Sequence, residues 1–229
     1  GRLGPIVIHL GMILLMIGAT YGSLTGKTIE KFLAPGRSID LLNNNEEKGL
    51  TIELQKFQIE RDPQGRAEQY RSTVNVIEPN GNNQSKEISV NYPLRYKGLT
   101  LYQADWSMAA ITIQISNSPK LQIPIKAIPE LGEQVWGTIL PTKKNGENPI
   151  LLTVENELGP LTIYDSDGTR LKTLSINKET EVKGTQIKLI NIIPSSGLIL
   201  KRDPGVPIVY TSFAIILIGG SLSIISTKK

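Results

Sequence analysis

Pro5-Ile-Val-Ile-His9-Leu-Gly11-Met-Ile-Leu-Leu-Met-Ile-Gly18-Ala-Thr20-Tyr-Gly22 carries no formal charge and has one histidine, His9, in its first half. About 20 apolar residues, each rising roughly 1.5 Å, cross the hydrocarbon core of a bilayer. The stretch predicts a transmembrane helix over residues 1–23. It is too long, and lacks the small-residue cleavage pattern, for a signal peptide. The chain opens on Gly1 rather than an initiator Met, which suggests a longer protein with preceding residues.

A second charge-free run, from Val206 to Ser226, predicts a return span over residues 205–227. Tyr21 and Tyr210, each near one end of its run, fit interfacial aromatics. The charge balance supports two spans around a large body. The chain holds 25 Lys/Arg; setting aside Arg2, Lys228 and Lys229 leaves 22 between the spans, against 21 Asp/Glu. The middle is thus close to neutral and has no basic stripe, so nucleic acid is not an expected partner. The basic tails place both ends on the cytoplasmic side by the positive-inside rule. Lys27, Lys31, Arg37, Lys201 and Arg202 flank the spans on the opposite side and weaken that test.

Residues 24–204 read as strand after strand. Thr51–Ile59, Tyr70–Ile77, Ile88–Tyr92, Ile111–Ile115, Leu161–Tyr164 and Ile187–Ile192 alternate apolar and polar residues, the mark of antiparallel sheets with one buried face. Turn pairs separate them at Asp62-Pro63, Asn80-Gly81, Asn145-Gly146, Gly159-Pro160 and Asp167-Gly168. Thr28–Leu33 is the exception and reads as a short surface helix capped by Thr28. The fold class expected is a membrane protein: two transmembrane α-helices flanking a large, mainly β, antiparallel sandwich or barrel-like extracytoplasmic domain.

Few residues offer chemistry. With no Cys in the chain and no His in the middle, disulfides, thiol redox pairs, Cys-ligated metals and Ser-His-Asp or Cys-His catalysis are excluded there. Gly22–Thr28 fails the phosphate-loop pattern, because position 21 is Tyr and a membrane helix precedes it. Asp165-Ser-Asp167-Gly168 lacks the further ligands of a calcium loop and reads as a hairpin turn. Glu46-Glu47 and Glu155/Glu157 read as solvated faces. Two readings stay open for His9: a ligand facing a cofactor such as haem between helices, or a packing histidine bonded to another helix. Gly11 and Gly18 on the same helix either admit a close neighbour or are ordinary membrane-helix composition. Asp105-Trp106, placed at a strand end, and Trp136 favour packing, with ligand contact as the alternative. Asp203-Pro204-Gly205 reads as a tight corner before the return span that could also meet a ligand or a neighbouring chain.

His9-Leu-Gly-Met-Ile-Leu-Leu, Pro93-Leu-Arg-Tyr-Lys-Gly98-Leu, Tyr102-Gln-Ala-Asp-Trp106, Trp136-Gly-Thr, Asn148-Pro and Asp203-Pro-Gly-Val-Pro207 together resemble the Ccs1/ResB family, also called CcsB, of system II cytochrome c biogenesis. The wording is similar to the cyanobacterial or plastid branch. The resemblance covers essentially the whole chain and implies that residue 1 falls at the third of the family's four spans.

It further implies a subunit working with CcsA to carry haem b across the membrane. The haem is presented reduced for covalent attachment to apocytochrome c. The chain is expected in a thylakoid or plasma membrane, with residues 24–204 on the lumenal or periplasmic side. His9 matches the family's candidate haem ligand. Trp106, Asp105 and Asp203 are further cofactor-binding candidates. No self-contained catalytic site is expected; the chain is at most part of a haem-lyase complex. The alternatives are a membrane-tethered scaffold that stabilises a partner, with His9 in packing only, and a transporter subunit for a different ligand.

Overall fold

A computed structural model describes residues 3–41, 49–141 and 149–227. The elements run α1 (Leu3–Thr25), β1 (Lys27–Leu33), β2 (Ser38–Leu41), β3 (Leu50–Arg61), β4 (Ala67–Ile77), β5 (Asn83–Ser89), β6 (Leu94–Tyr96), β7 (Leu99–Ile115), β8 (Leu121–Pro124), β9 (Lys126–Ala127), β10 (Trp136–Leu140), β11 (Ile150–Val154), β12 (Leu161–Tyr164), β13 (Arg170–Leu174), β14 (Glu179–Val182), β15 (Thr185–Arg202) and α2 (Val206–Thr227). One sheet orders β1-β15-β7-β6, with β14 pairing β15 and β8 pairing β7; the others order β13-β12-β11-β10-β9 and β2-β3-β4-β5. The expected class is the one observed: two helices long and apolar enough to cross a membrane, flanking a mostly antiparallel β domain.

The residues cluster into two compact units. The first comprises Gly1–Glu30, Pro93–Tyr102 and Ile199–Lys229. In it, α1 and α2 pack antiparallel along a glycine seam. Gly4, Gly11, Gly18 and Gly22 are the buried residues of α1. Gly4 meets Ser223, Gly11 meets Ser212 and Ile216, and Gly18 meets Ile208. A seven-residue step is nearly two helical turns, so the seam stays on one face, and small residues let the backbones approach. Gly11 and Gly18 are therefore helix-packing positions and not mere composition. Thr211, Ser212 and Ser221 donate their hydroxyls to carbonyls four residues earlier in α2, so these three donors are satisfied within their own helix.

The second unit comprises Lys31–Tyr92 and Gln103–Leu198. An apolar cluster in it joins Met108, Ile111 and Ile113 of β7 and Ile187, Leu189 and Ile192 of β15 to Trp136, Leu152, Leu161, Ile163 and Leu174 of the five-stranded sheet. Two sheets thus close on one core, as the alternating patterns require. Where β7 and β15 pass Gln103 and Ser196, alternation stops: Ser195, Ser196, Gly197 and Leu198 are all buried. Ser196 donates to Gln103 Oε1 at 2.7 Å, Ser72 Oγ lies 2.5 Å from the same oxygen and 2.8 Å from Ser196 Oγ, and Gln103 Nε2 donates to the Asp105 carbonyl at 2.8 Å.

Several local expectations change. Thr28–Leu33 is strand β1, not a helix; Thr, Ile, Phe and Leu suit a pleated edge, and pairing with β15 decides the matter. The strand expected over Ile88–Tyr92 ends at Ser89, because Asn91 turns the chain at φ 69° and Tyr92 returns to bridge Ser89. Asp105-Trp106 lies inside β7 and not at a strand end. Glu157 is no solvated residue: both its oxygens take the Arg61 guanidinium, at 2.8 and 2.7 Å. The hairpin turn expected at Asp165–Gly168 forms, with Gly168 at φ 83° and its N–H donating to the Asp165 carbonyl. Asn145-Gly146 and Glu46-Glu47 lie outside the described residues.

Candidate functional site

His9 projects from α1 on the side away from the seam. At 100° per residue it stands about 160° around the helix from Gly4, Gly11 and Gly18. It is exposed, and its Nδ1 lies 2.7 Å from the Pro5 carbonyl oxygen one turn back. A carbonyl only accepts, so Nδ1–H is the donor. In the neutral ring Nε2 then keeps its lone pair, and no described residue bonds it. Fixing one imidazole nitrogen on a carbonyl is the arrangement that orients a metal-ligating histidine. Met12 and Met16 follow at three and seven residues on the same side, 48% and 70% exposed. The described residues give His9 no bond to α2. A partner for that nitrogen would have to approach from outside the α1–α2 pair, not from between these two helices.

Asp203 occupies the other end of the pair. From His9 to Gly22, against which Asp203 packs, is thirteen residues, or about 20 Å of helix. Asp203 Oδ1 accepts the Gly205 N–H at 3.0 Å, and Gly205 rests on the Gly18–Gly22 backbone. This carboxylate closes the corner that starts α2. His9 and Asp203 therefore do not share one site.

In the second unit, Asp105 is exposed and accepts its neighbour's N–H, that of Trp106, at 2.7 Å. Trp106 lies within an aromatic row. Its ring is 6.2 Å from Tyr70 at 22° and 5.1 Å from Trp136 at 44°, and Tyr70 is 6.4 Å from Phe57. Trp136 is buried and donates Nε1–H to Ser107 Oγ at 2.9 Å, so the packing expected of it is what it does. Trp106 and Tyr70 also border a cleft of about 330 Å³ with Arg61 and Arg66. Both cations there are committed. The Glu157 carboxylate on Arg61 raises that guanidinium's pKa further and keeps it charged, and Arg66 pairs with Asp62 at 2.6 Å. Among the described residues no group of three His, Cys, Asp or Glu could hold a metal ion.

The ResB-like family matches residues 1–159. The chain belongs to that family. This ResB-like chain is 86% identical over 229 residues to a cytochrome c biogenesis protein CcsB of Prochlorococcus marinus (strain NATL2A), covering all of this chain and 54% of that protein. It is 52% identical over 230 residues to the protein of the same name in Synechococcus sp. (strain CC9311), covering all of this chain and 53% of the relative. The chain spans about half the length of the curated relatives it matches.

Two features of the ResB-like chain were not apparent from its sequence. The Ser72–Gln103–Ser196 cluster joins residues from three strands, and its only signal was Gln103 beside a charged aromatic motif. The second is a basic corner formed by Lys27, Lys201 and Arg202 around the start of α2. Each cation was visible as a span flank, but nothing local said that they meet.

Proposed function

We propose that this chain is the haem-handling part of a system II cytochrome c synthase. In this role it works with CcsA to carry haem across a thylakoid or plasma membrane and present it reduced for covalent attachment to apocytochrome c. Residues 24–204 lie on the lumenal or periplasmic side. The observation that carries the proposal is His9: the chain's only histidine, in a helix apolar enough to span a membrane, with Nδ1 held by Pro5 and Nε2 free on the face away from α2.

Haem is the cargo. Imidazole Nε2 would take one axial position on its iron and influence the potential. One histidine supplies one ligand, so the second comes from another segment of the protein or from CcsA. With no thiol, the chain can bind and orient haem but cannot itself reduce a disulfide. Trp106, Asp105 and Asp203 have structural partners of their own, and they are not needed for this step.

The test is the absorption spectrum of the detergent-purified protein with CcsA, comparing wild type with His9→Gly, with and without added imidazole. The expected result is loss of a low-spin haem spectrum in the variant and its return when imidazole fills the vacated space. An unchanged spectrum would assign His9 to another role and favour a scaffold that stabilises its partner.

A further inference from the structure

Lys27, Lys201 and Arg202 border one cleft of about 600 Å³ at the end of the helix pair where α1 hands over to β1 and β15 hands over to α2. Pairing of β1 with β15 brings the three together, and Gly26 lies against the Arg202 carbonyl. All three side chains are exposed, and among the described residues none has an ion-pair partner. Among the described residues Asp203 is the one carboxylate lining the cleft, and it is engaged by the Gly205 N–H. The rim thus carries a net charge of about +2, against its Asp203, at the level where two membrane-long helices end.

Below the rim the lining changes character. Val206, Val209 and Phe213 descend along α2 opposite Ala19 of α1. Tyr210, 66% exposed, stands at the transition, the usual place for a tyrosine at the headgroup level. A free anion would use the rim alone, and an acidic peptide would have no use for a hydrocarbon wall running into a membrane. An anionic phospholipid uses both. We propose that this cleft binds the phosphate headgroup of an anionic phospholipid between Lys27, Lys201 and Arg202, with an acyl chain along Val209 and Phe213. The proposal rests on the helices crossing a membrane and not on haem handling.

Native mass spectrometry of the complete chain, released from detergent after titration with phosphatidylglycerol or phosphatidylcholine, tests it. The expected result is one retained phosphatidylglycerol bound at least about tenfold more tightly than phosphatidylcholine. The triple variant Lys27→Gln/Lys201→Gln/Arg202→Gln would weaken that retention by roughly 10- to 100-fold. The Lys126→Gln/Arg170→Gln/Lys172→Gln control, altered at exposed positions elsewhere, would keep it, as would His9→Gly. Circular dichroism of the triple variant matching wild type would assign its loss to the site rather than to misfolding. Equal retention of the two lipids, or full retention by the triple variant, would overturn the proposal. So would displacement of the lipid by equimolar inorganic phosphate, which would mark a free-anion site, or by equimolar haemin, which would mark a propionate site.

Discussion

Gly11 of α1 lies so close to Ile216 of α2 that a Cβ at position 11 would stand 2.6 Å from the Ile216 Cγ1 and 3.1 Å from its backbone nitrogen. His9, two residues earlier, faces the other way. The span therefore has two working sides: a glycine side that fixes α2, and a side bearing His9, Met12 and Met16 that α2 leaves uncovered. Changes on the two sides are expected to separate assembly of the helix pair from the haem binding proposed for His9.

Neighbouring glycines of α2 give a sharp test of the seam. A Cβ at Gly219 would fall 2.8 Å from the Ile8 backbone nitrogen and 3.0 Å from the Gly4 carbonyl, whereas one at Gly220 meets nothing within 4 Å. Gly219→Ala is expected to destabilise the helix pair by about 1–3 kcal/mol, the usual cost of overpacking against backbone that cannot yield. Gly220→Ala is expected to be neutral or to stabilise by up to ~1 kcal/mol through helix propensity. Loss of helical ellipticity on titrating the purified protein with dodecyl sulfate reads both, and equal midpoints would refute the seam.

The buried Ser72–Gln103–Ser196 cluster predicts a ranked series. Gln103→Leu removes the shared acceptor and the donor to the Asp105 carbonyl. Ser72 and Ser196 can then bond each other, but one hydroxyl proton has no acceptor left. The expected loss is about 1–3 kcal/mol. Ser72→Ala leaves Ser196 still donating to Gln103 Oε1 and is expected to cost less. Urea unfolding of the two variants checks the order.

What could be read from sequence follows from how local each cause is. A charge-free run fixes a span by its own length and composition, so α1 and α2 emerged within a residue or two. Period-two strands emerged wherever one face is wet. Ser195–Leu198 defeated that rule because both faces are covered, and β1 defeated it because its partner β15 lies far along the chain. Glu157 read as solvated for the same reason: Arg61 is 96 residues away. His9 stood out as the lone histidine of the chain, set in a span, while the direction it faces depended on where α2 packs. The basic corner needed β1 beside β15 before three unremarkable flanking charges became one cleft.

Asp165 carries a pH prediction. The Lys183 ammonium donates to its Oδ1 at 2.8 Å, with the Ser166 N–H on the same oxygen, and together they hold the carboxyl below its ordinary value of 3.8. A carboxyl that ionises more readily folded than unfolded stabilises the fold above the unfolded value and loses that contribution as pH falls through the folded one. Lys183→Met is expected to lower the unfolding temperature at neutral pH. The two proteins should converge as pH falls below 3.8 and through the lower folded-state value, where both carboxyls are protonated. A constant difference across the whole range would mean that Lys183 acts through packing and not through Asp165.

The Trp106–Trp136 pair decides between packing and ligand contact for Trp106. Indoles 5.1 Å apart and tilted 44° are close enough to couple, and far-UV circular dichroism should show an indole couplet of paired sign. Trp106→Phe keeps an aromatic beside Tyr70 yet removes the coupled indole. It is expected to abolish that couplet at a cost of about 1 kcal/mol, the scale of one aromatic pair. Trp106→Ala opens the row between Tyr70 and Trp136 and is expected to cost about 3 kcal/mol. A packing residue must show this graded loss, because Tyr70 and Trp136 lose their common neighbour whether or not anything is bound. If both variants unfolded at the wild-type midpoint, the row would not depend on Trp106, and its place beside Arg61 and Arg66 at the cleft would be the reason for it.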